Sequence, residues 1–402
     1  MIECTKEAGG PNDGKSGYAD LGFAPGGFVG AFDNNHMIVA FWGKGISGRV
    51  PAKQTRDGGK TWEDVAFPQI DYMDHQSSRG WCFDANGDCA FISNRGFRCC
   101  GGYVPLPHPR IFFIKATFTG DGWEGRDCHD LKTGRMIGFI SAEQRHCGSR
   151  QETVARLANG RLWTAYGDYP NRTLRPITNV CVKYSDDDGV TWRSWREGKT
   201  GAIARSESLT LHPWVVPYRD QVAVIWQDHE RGGVLWSRYD GQGWSKPEEV
   251  APSPARFGGG DSHAVTVGKE DIFVAAGGAY GGFSGILHWN GTKWEKELPE
   301  MPPGALLAVA GRTLMLFTWE QKEKGTQDSG IRIVAHKRTA DGKWEGPNVL
   351  AEEDTPLTTY ATAASPAPGL VAQLYAPPNF VPVAWSCKRQ TVLKVLRVPV
   401  DW

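Results

Sequence analysis

The sequence predicts an all-β chain: a single β-propeller over residues 1–402, with seven four-stranded blades favoured over six. Three observations predict it. The octet Thr55-Arg-Asp-Gly-Gly-Lys-Thr-Trp62 returns as Ser185-Asp-Asp-Asp-Gly-Val-Thr-Trp192. Shorter Asp/Asn-Gly turns ending in Trp follow the same phase, at Asp121-Gly-Trp123, Asp240-Gly-Gln-Gly-Trp244, Asn290-Gly-Thr-Lys-Trp294 and Asp341-Gly-Lys-Trp344. Successive Trp residues in this series stand 61, 69, 52, 50 and 50 positions apart, a period that fits repeated blades rather than one irregular sheet.

Each turn has a physical logic. The Asp at the third position of the octet accepts hydrogen bonds from the amides that follow it, and Gly takes the positive φ that a Cβ resists. Thr starts the next strand. Trp lays its ring against the blade while its indole NH seeks an acceptor. Between these stations each unit reads as apolar strand, tight turn, very apolar strand, long loop and strand. The first turns fall at Asn34-Asn35, Asn86-Gly87, Asn159-Gly160, Arg219-Asp220, Lys269-Glu270, Ala310-Gly311 and Pro368-Gly369. The second strands then read Ile38–Trp42, Cys89–Ser93, Leu162–Tyr166, Val222–Trp226, Ile272–Ala276, Thr313–Trp319 and Leu370–Tyr375. Val381–Ser386 and Thr391–Val398 close the last unit, and residues 1–17 are an N-terminal extension or a closing strand.

Composition narrows the partners. Lys+Arg and Asp+Glu are each 45, so net charge favours neither nucleic acid nor membrane. No apolar run approaches the ~20 residues of a membrane span. The start, Met1-Ile-Glu-Cys, does not read as a signal peptide; secretion or a periplasmic location is expected if one has been removed. Nine Cys is an odd number, so at least one has no intrachain partner. Cys82 with Cys89, and Cys147 with Cys181, are placed for disulfides. Cys99-Cys100 with Cys128 and His129 has poor spacing for zinc, and no metal site is assigned.

In such a fold the starts of the innermost strands and the loops leaving the second strands share one face, with the Trp turns on the other. Strand starts supply His75, Arg79, Arg150, Glu152, Glu207, His212, Asp261, His263 and Tyr360. Second-strand exits supply Arg95, Asp168, Arg172, Asp228, Arg231 and Tyr375. Titratable groups converging on one concavity are the usual mark of a site. Basic residues enter from four neighbouring units, and guanidinium groups suit carboxylate or sulfate. The expected partner is therefore an acidic oligosaccharide or polysaccharide. Each candidate also has a plainer role: a strand-start His is often a backbone-bonded spacer, and a loop Arg is often solvated surface.

The pattern S/T-x-D-x-G-x-T-W resembles the Asp box (BNR repeat) of sialidases and related propellers, and the likeness covers the repeats along most of the chain. It implies an arginine triad for the substrate carboxylate, a Tyr nucleophile with a Glu partner, and an Asp acid/base. Carried over, the Tyr is Tyr360, the Glu is Glu207 or Glu152, and the Asp is Asp168 or Asp228. A neutral Tyr suits an anionic substrate, since a carboxylate nucleophile would be repelled. The arginines depart from the pattern. The family's Arg-Ile-Pro is absent where this chain reads Gly26-Gly-Phe-Val-Gly-Ala-Phe32, and Tyr166 stands where an Arg would end a second strand. Arg231 and Arg256, with Arg95 or Arg150, supply a triad without a motif.

Sialidase domains have six blades, and seven units also resemble the propellers of uronate-cleaving polysaccharide lyases and of a rhamnosidase. The expectation is thus a sialidase-like hydrolase of an acidic sugar, with a polysaccharide lyase as the alternative. A lyase would use His75, His212 or Tyr166 on the proton and Arg95 or Arg150 on the carboxylate. A glycan-binding propeller without catalysis is the third reading. Arg79, Arg172 and His263 complete the substrate-binding candidates. No organic cofactor is implied, because no Gly-rich phosphate loop joins a strand to a helix. A structural divalent cation near Asp261 and His263 has no support from ligand spacing.

Overall fold

The computed structural model describes residues 2–5, 27–41, 49–68, 82–83, 88–95, 110–120, 122–125, 139–141, 154–168, 178–196, 201–206, 213–228, 233–251, 263–276, 285–298, 305–323, 329–356, 370–385 and 392–402. They form seven antiparallel sheets, the blades of a propeller. Blade 1 runs through Gly27–Ala31, Met37–Phe41, Arg49–Thr55 and Glu63–Pro68. Blade 2 has Cys82–Phe83, Asp88–Arg95 and Arg110–Phe118, with Trp123–Gly125 and Phe139–Ser141 both paired on the third strand. Blade 3 has Val154–Arg156, Leu162–Asp168 and Thr178–Ser185, where Arg193–Ser194 and Ala202–Ser206 share the outer edge. Blade 4 is Trp214–Tyr218, Gln221–Asp228, Gly233–Arg238 and Glu248–Ala251. Blade 5 is His263–Val267, Asp271–Ala276, Gly285–Trp289 and Trp294–Leu298. Blade 6 is Leu306–Ala310, Thr313–Gln321, Ile331–Arg338 and Trp344–Glu353.

Blade 7 joins the two ends of the chain. Leu370–Ala372, Phe380–Trp385 and Val392–Pro399 are followed by Ile2–Thr5, which pairs antiparallel with Val392–Val395. The N-terminal segment is thus a closing strand. Each blade packs on the next, and the innermost strand of blade 1 packs on blade 7.

The last unit departs from the sequence reading by one strand. Leu370–Ala372 is innermost rather than second, and the first turn of this blade is 373–379 rather than Pro368-Gly369. A short apolar run fits either position, so its pattern could not choose. Tyr375, expected at a second-strand exit, instead pairs in parallel with Val309 on the innermost strand of blade 6. The disulfide between Cys82 and Cys89 has no directly opposed pair to form on. The register sets Cys89 against Phe83 and Cys82 against Ala90, so the two positions fall on opposite faces. Cys181 is buried, and Cys147, Cys99, Cys100, Cys128 and His129 lie outside the described residues.

The two octets fold alike. Thr55 Oγ1 donates to Asp57 Oδ1 and accepts from the Gly59 amide, while Asp57 receives the amide and hydroxyl of Thr61. Ser185, Asp187, Gly189 and Thr191 repeat this network. The equivalent Gly59 and Gly189 hold φ of 93° and 77°, and a Cβ on Gly189 would collide with the Phe113 ring.

The Trp that follows each turn packs on the preceding blade. Trp62 joins a cluster with Val371 and Phe380 of blade 7. Trp123 meets Phe32 of blade 1 at 5.4 Å, and Trp192 meets Phe113 of blade 2 at 5.5 Å. Trp244 meets Trp163 of blade 3 at 6.2 Å, and Trp294 meets Trp236 of blade 4 at 5.0 Å. Trp344 joins Val265 and Phe273 of blade 5. The seventh junction is served by Trp402, which packs on the blade 6/7 cluster under the Lys337 ammonium.

The expected indole acceptor exists in only some turns. Trp123 Nε1 donates to Gln54 Oε1 of blade 1 at 3.1 Å, and Trp192 Nε1 donates to Gly189 O. The indole NH groups of Trp62, Trp244, Trp294 and Trp344 are buried without a partner among the described residues. Burying a Trp ring is worth about 4–6 kcal/mol. An unmade neutral hydrogen bond costs about 1–3 kcal/mol, so packing decides the position.

Two tests follow from these contacts. Trp123→Ala is expected to destabilise by about 3–5 kcal/mol, and Trp123→Phe by about 1 kcal/mol, in urea unfolding. Bonds from the Thr61 hydroxyl and then the Thr61 amide hold the Asp57 carboxyl well below the usual carboxylate range. Its folded value is therefore depressed, so its contribution is complete above the ordinary Asp range and lost as pH falls below it. Asp57→Asn should lower the urea midpoint at neutral pH, by a margin that narrows in strong acid; a margin constant with pH would refute this.

Candidate functional site

In every blade the innermost strand starts, and the second strand ends, at one rim. The register sets Trp214 against Ile225, His263 against Ala275, and Leu306 against Phe317 near that end. The Trp turns lie at the other end with the first turns. In blade 1 the Gly58 amide, inside the octet, donates to Asn35 O in the first turn at 3.0 Å. The rim where innermost strands start therefore faces away from the Trp turns.

Most of the candidates fall, in sequence, between the described strands. His75, Arg79, Arg150, Glu152, Arg172, Glu207, His212, Arg231, Arg256, Asp261 and Tyr360 lie outside the described residues. Arg95 and Asp168 form the last rungs of their second strands, opposite Arg110 and Asn179.

Four candidates, Asp228, His263, Tyr166 and Tyr375, can be followed to their side chains. Asp228, the last residue of the second strand of blade 4, is 2% exposed and receives the Ser206 hydroxyl of blade 3 at 3.1 Å. It continues the stripe Val222, Val224, Trp226, which strand alternation turns toward blade 3. His263 is fully buried, and its Nε2 accepts the Leu307 amide of blade 6 at 2.6 Å. Contact with substrate is thus contradicted for His263. The Leu307 amide faces the wedge between two innermost strands and needs an acceptor there, which the imidazole supplies. The same nitrogen is unavailable to a cation, and no metal-binding group of three ligands occurs among the described residues.

Tyr166 is corrected as well. It is fully buried in the cluster of Phe113, Val154, Leu162 and Cys181 between blades 2 and 3. Positions 162, 164 and 166 share one face of the strand, so the ring is directed into the interface rather than the mouth.

Sequence reasoning missed Glu353. This carboxylate ends the outer strand of blade 6, is 4% exposed, and is held on both oxygens. Trp385 Nε1 donates to Oε1 and Lys394 Nζ to Oε2, each at 2.9 Å and each from blade 7. Glu353 is in phase with core-facing Ala351, and a carboxylate at the end of an inward-facing stripe is the signal that could have found it. The segment Gln373–Ala376 crosses the Trp-turn end of the innermost strands. The Gln373 amide brackets Ala31 of blade 1, Leu374 O accepts from Val309 of blade 6, and the Tyr375 hydroxyl accepts from Thr266 of blade 5.

No known protein family matches the chain, and no curated protein matches it. Solved structures do. An ulvan lyase of polysaccharide lyase family PL25 aligns with TM-score 0.54 at 12% identity, over 94% of this chain and 92% of that one. The polysaccharide lyase Uly1 aligns at 0.52 and 9% identity, over 93% and 90%. The likeness is one of fold. A Trypanosoma rangeli sialidase aligns at 0.44 and 11% identity, over 93% of this chain and 54% of that one.

His263→Phe removes the acceptor of a buried amide. It is expected to cost about 1–3 kcal/mol in chemical unfolding, and an unchanged midpoint would refute the fastening role.

Proposed function

We propose that the protein cleaves an acidic polysaccharide next to a uronate by β-elimination. The observation that carries this reading is the end-to-end likeness of the seven-blade fold to two polysaccharide lyases. One of these has been solved bound to -[GlcA(1-4)Rha3S]-, an acidic glycan. The basic and imidazole residues on the connections of one rim support it further, as does the missing Arg-Ile-Pro.

The chemistry asks little of the chain. A base removes the proton at C5 of the uronate, the C4–O bond breaks, a C4=C5 double bond forms, and the departing oxygen takes a proton. A cation on the carboxylate stabilises charge that develops as C5 loses its proton. His75 or His212 is assigned the base, and Arg95 or Arg150 the carboxylate. Tyr166, buried between blades, is withdrawn from this set. A polymer of this kind also favours a secreted or periplasmic site of action.

Incubation with glucuronate-containing polysaccharides should raise ultraviolet absorbance, from the unsaturated uronate, in step with new reducing ends. His75→Ala or His212→Ala should lower kcat by about 10²–10⁴-fold, according to which is the base. Reducing ends without absorbance would favour the sialidase-like hydrolysis, and neither signal would leave a glycan-binding propeller.

A further inference from the structure

Cations laid on aromatic rings recur at three successive blade junctions, and each has a carboxylate to match. Between blades 3 and 4, Arg161 lies 4.5 Å over the Tyr184 ring and pairs with Asp186 at 2.6 Å. Between blades 4 and 5, Arg238 lies 4.7 Å over Trp236 and pairs with Glu248 at 2.8 Å. Between blades 5 and 6, Arg338 lies 5.0 Å over Phe273 and pairs with Glu297 at 2.6 Å. A guanidinium committed to a carboxylate in this way has little left to offer an outside anion.

The first of these junctions carries two arginines more. Arg193 stands opposite Tyr184 on the outer edge of blade 3, and Arg196 lies 5.6 Å over the Trp195 ring. Both are exposed, and neither has an acidic partner among the described residues. The carboxylates nearby are taken or balanced. Asp186 holds Arg161, Asp240 receives the Gln242 and Gly243 amides of its own turn, and exposed Glu249 of blade 4 is offset by exposed Lys246. The rings beside the arginines stay half-buried rather than enclosed. Trp195 meets Tyr239 of blade 4 at 6.5 Å, edge to face, and its indole NH donates to Gly201 O, which fixes its orientation.

We infer that this outer junction of blades 3 and 4 is a second, non-catalytic binding surface for an acidic polysaccharide. Half-buried Trp and Tyr offer rigid area on which the C–H face of a sugar ring can stack, and these residue types with Arg dominate binding surfaces. Unmatched guanidinium groups supply the paired donors that a carboxylate or sulfate takes. The ligand class is that of the proposed function, on which the inference rests, but retention here needs no bond to break. A long chain held on the wall would be kept close to the enzyme between cleavages.

The Arg193→Gln/Arg196→Gln double variant tests this, since both side chains are exposed; folding is checked by thermal unfolding. Binding is read by affinity electrophoresis in gels containing a glucuronate polysaccharide, neutral dextran or duplex DNA. Wild type should be retarded by the glucuronate polymer and not by dextran, and the double variant should bind that polymer about tenfold more weakly. Its kcat on a short uronate oligosaccharide should equal that of wild type. Trp195→Ala should also weaken binding, and the arginine variant answers the case in which Trp195→Ala fails to fold. Equal retardation of wild type and double variant would overturn the inference, as would retardation by DNA as strong as by the glucuronate polymer. A wild type that is retarded but releases no unsaturated product defeats the lyase reading and leaves the surface standing. A wild type that cleaves, beside a double variant retarded as strongly, defeats the surface alone.

Discussion

The contact of each turn Trp with the preceding blade is the constraint on which the architecture depends. Twisted sheets packed face to face diverge toward their outer strands, and a large flat ring fills the gap that smaller side chains would leave open. Six of these rings come from the repeated turns, and Trp402 serves the remaining junction between blades 6 and 7. The octet network serves the same end. Asp57 and Asp187 organise the amides of their turns so that the Trp leaves at a fixed angle toward its neighbour. Closing blade 7 with Ile2–Thr5 then ties the chain's two ends into one sheet.

The frame is held at its Trp-turn end by packing of each ring on the preceding blade. The opposite rim has fasteners of its own. Buried polar bonds between blades occur at both ends: Trp123 with Gln54 and Gln373 with Ala31 at the Trp-turn end, and Ser206 with Asp228, His263 with the Leu307 amide, and Glu353 with Trp385 and Lys394 at the rim. Polar bonds specify geometry more sharply than apolar contact, because direction as well as distance enters their energy. Such bonds suit strand ends that must present side chains at set positions. The crossing of Gln373–Ala376 beneath the innermost strands adds to the fastening at the Trp-turn end.

The errors in the candidate set have one physical origin. Periodicity along a strand shows that a residue alternates in or out, and not which of two blade faces it meets. Tyr166 and His263 stand near strand ends, where the sequence pattern predicts a mouth, yet both are fully buried between blades. Tyr375 lies at the opposite end from the one its pattern predicts, because Leu370-Val-Ala reads equally as a first or a second strand. Glu353 and Lys394 escaped notice because their partnership spans 41 residues and two blades. The fold was more legible than the site, since turn chemistry is local and repeats, while convergence of single side chains is neither.

By itself the sequence determined the all-β class, the repeated units with seven favoured over six, the Asp/Asn-Gly turns and the six Trp residues in phase. Each follows from short-range rules on φ, hydrogen bonding and alternation. Only the tertiary structure decided that Ile2–Thr5 completes blade 7, that Trp402 fills the last junction, and that His263 fastens blades rather than facing solvent. Those outcomes depend on which strand ends meet after the ring forms, and contacts between residues from 44 to several hundred positions apart leave no local trace in the chain.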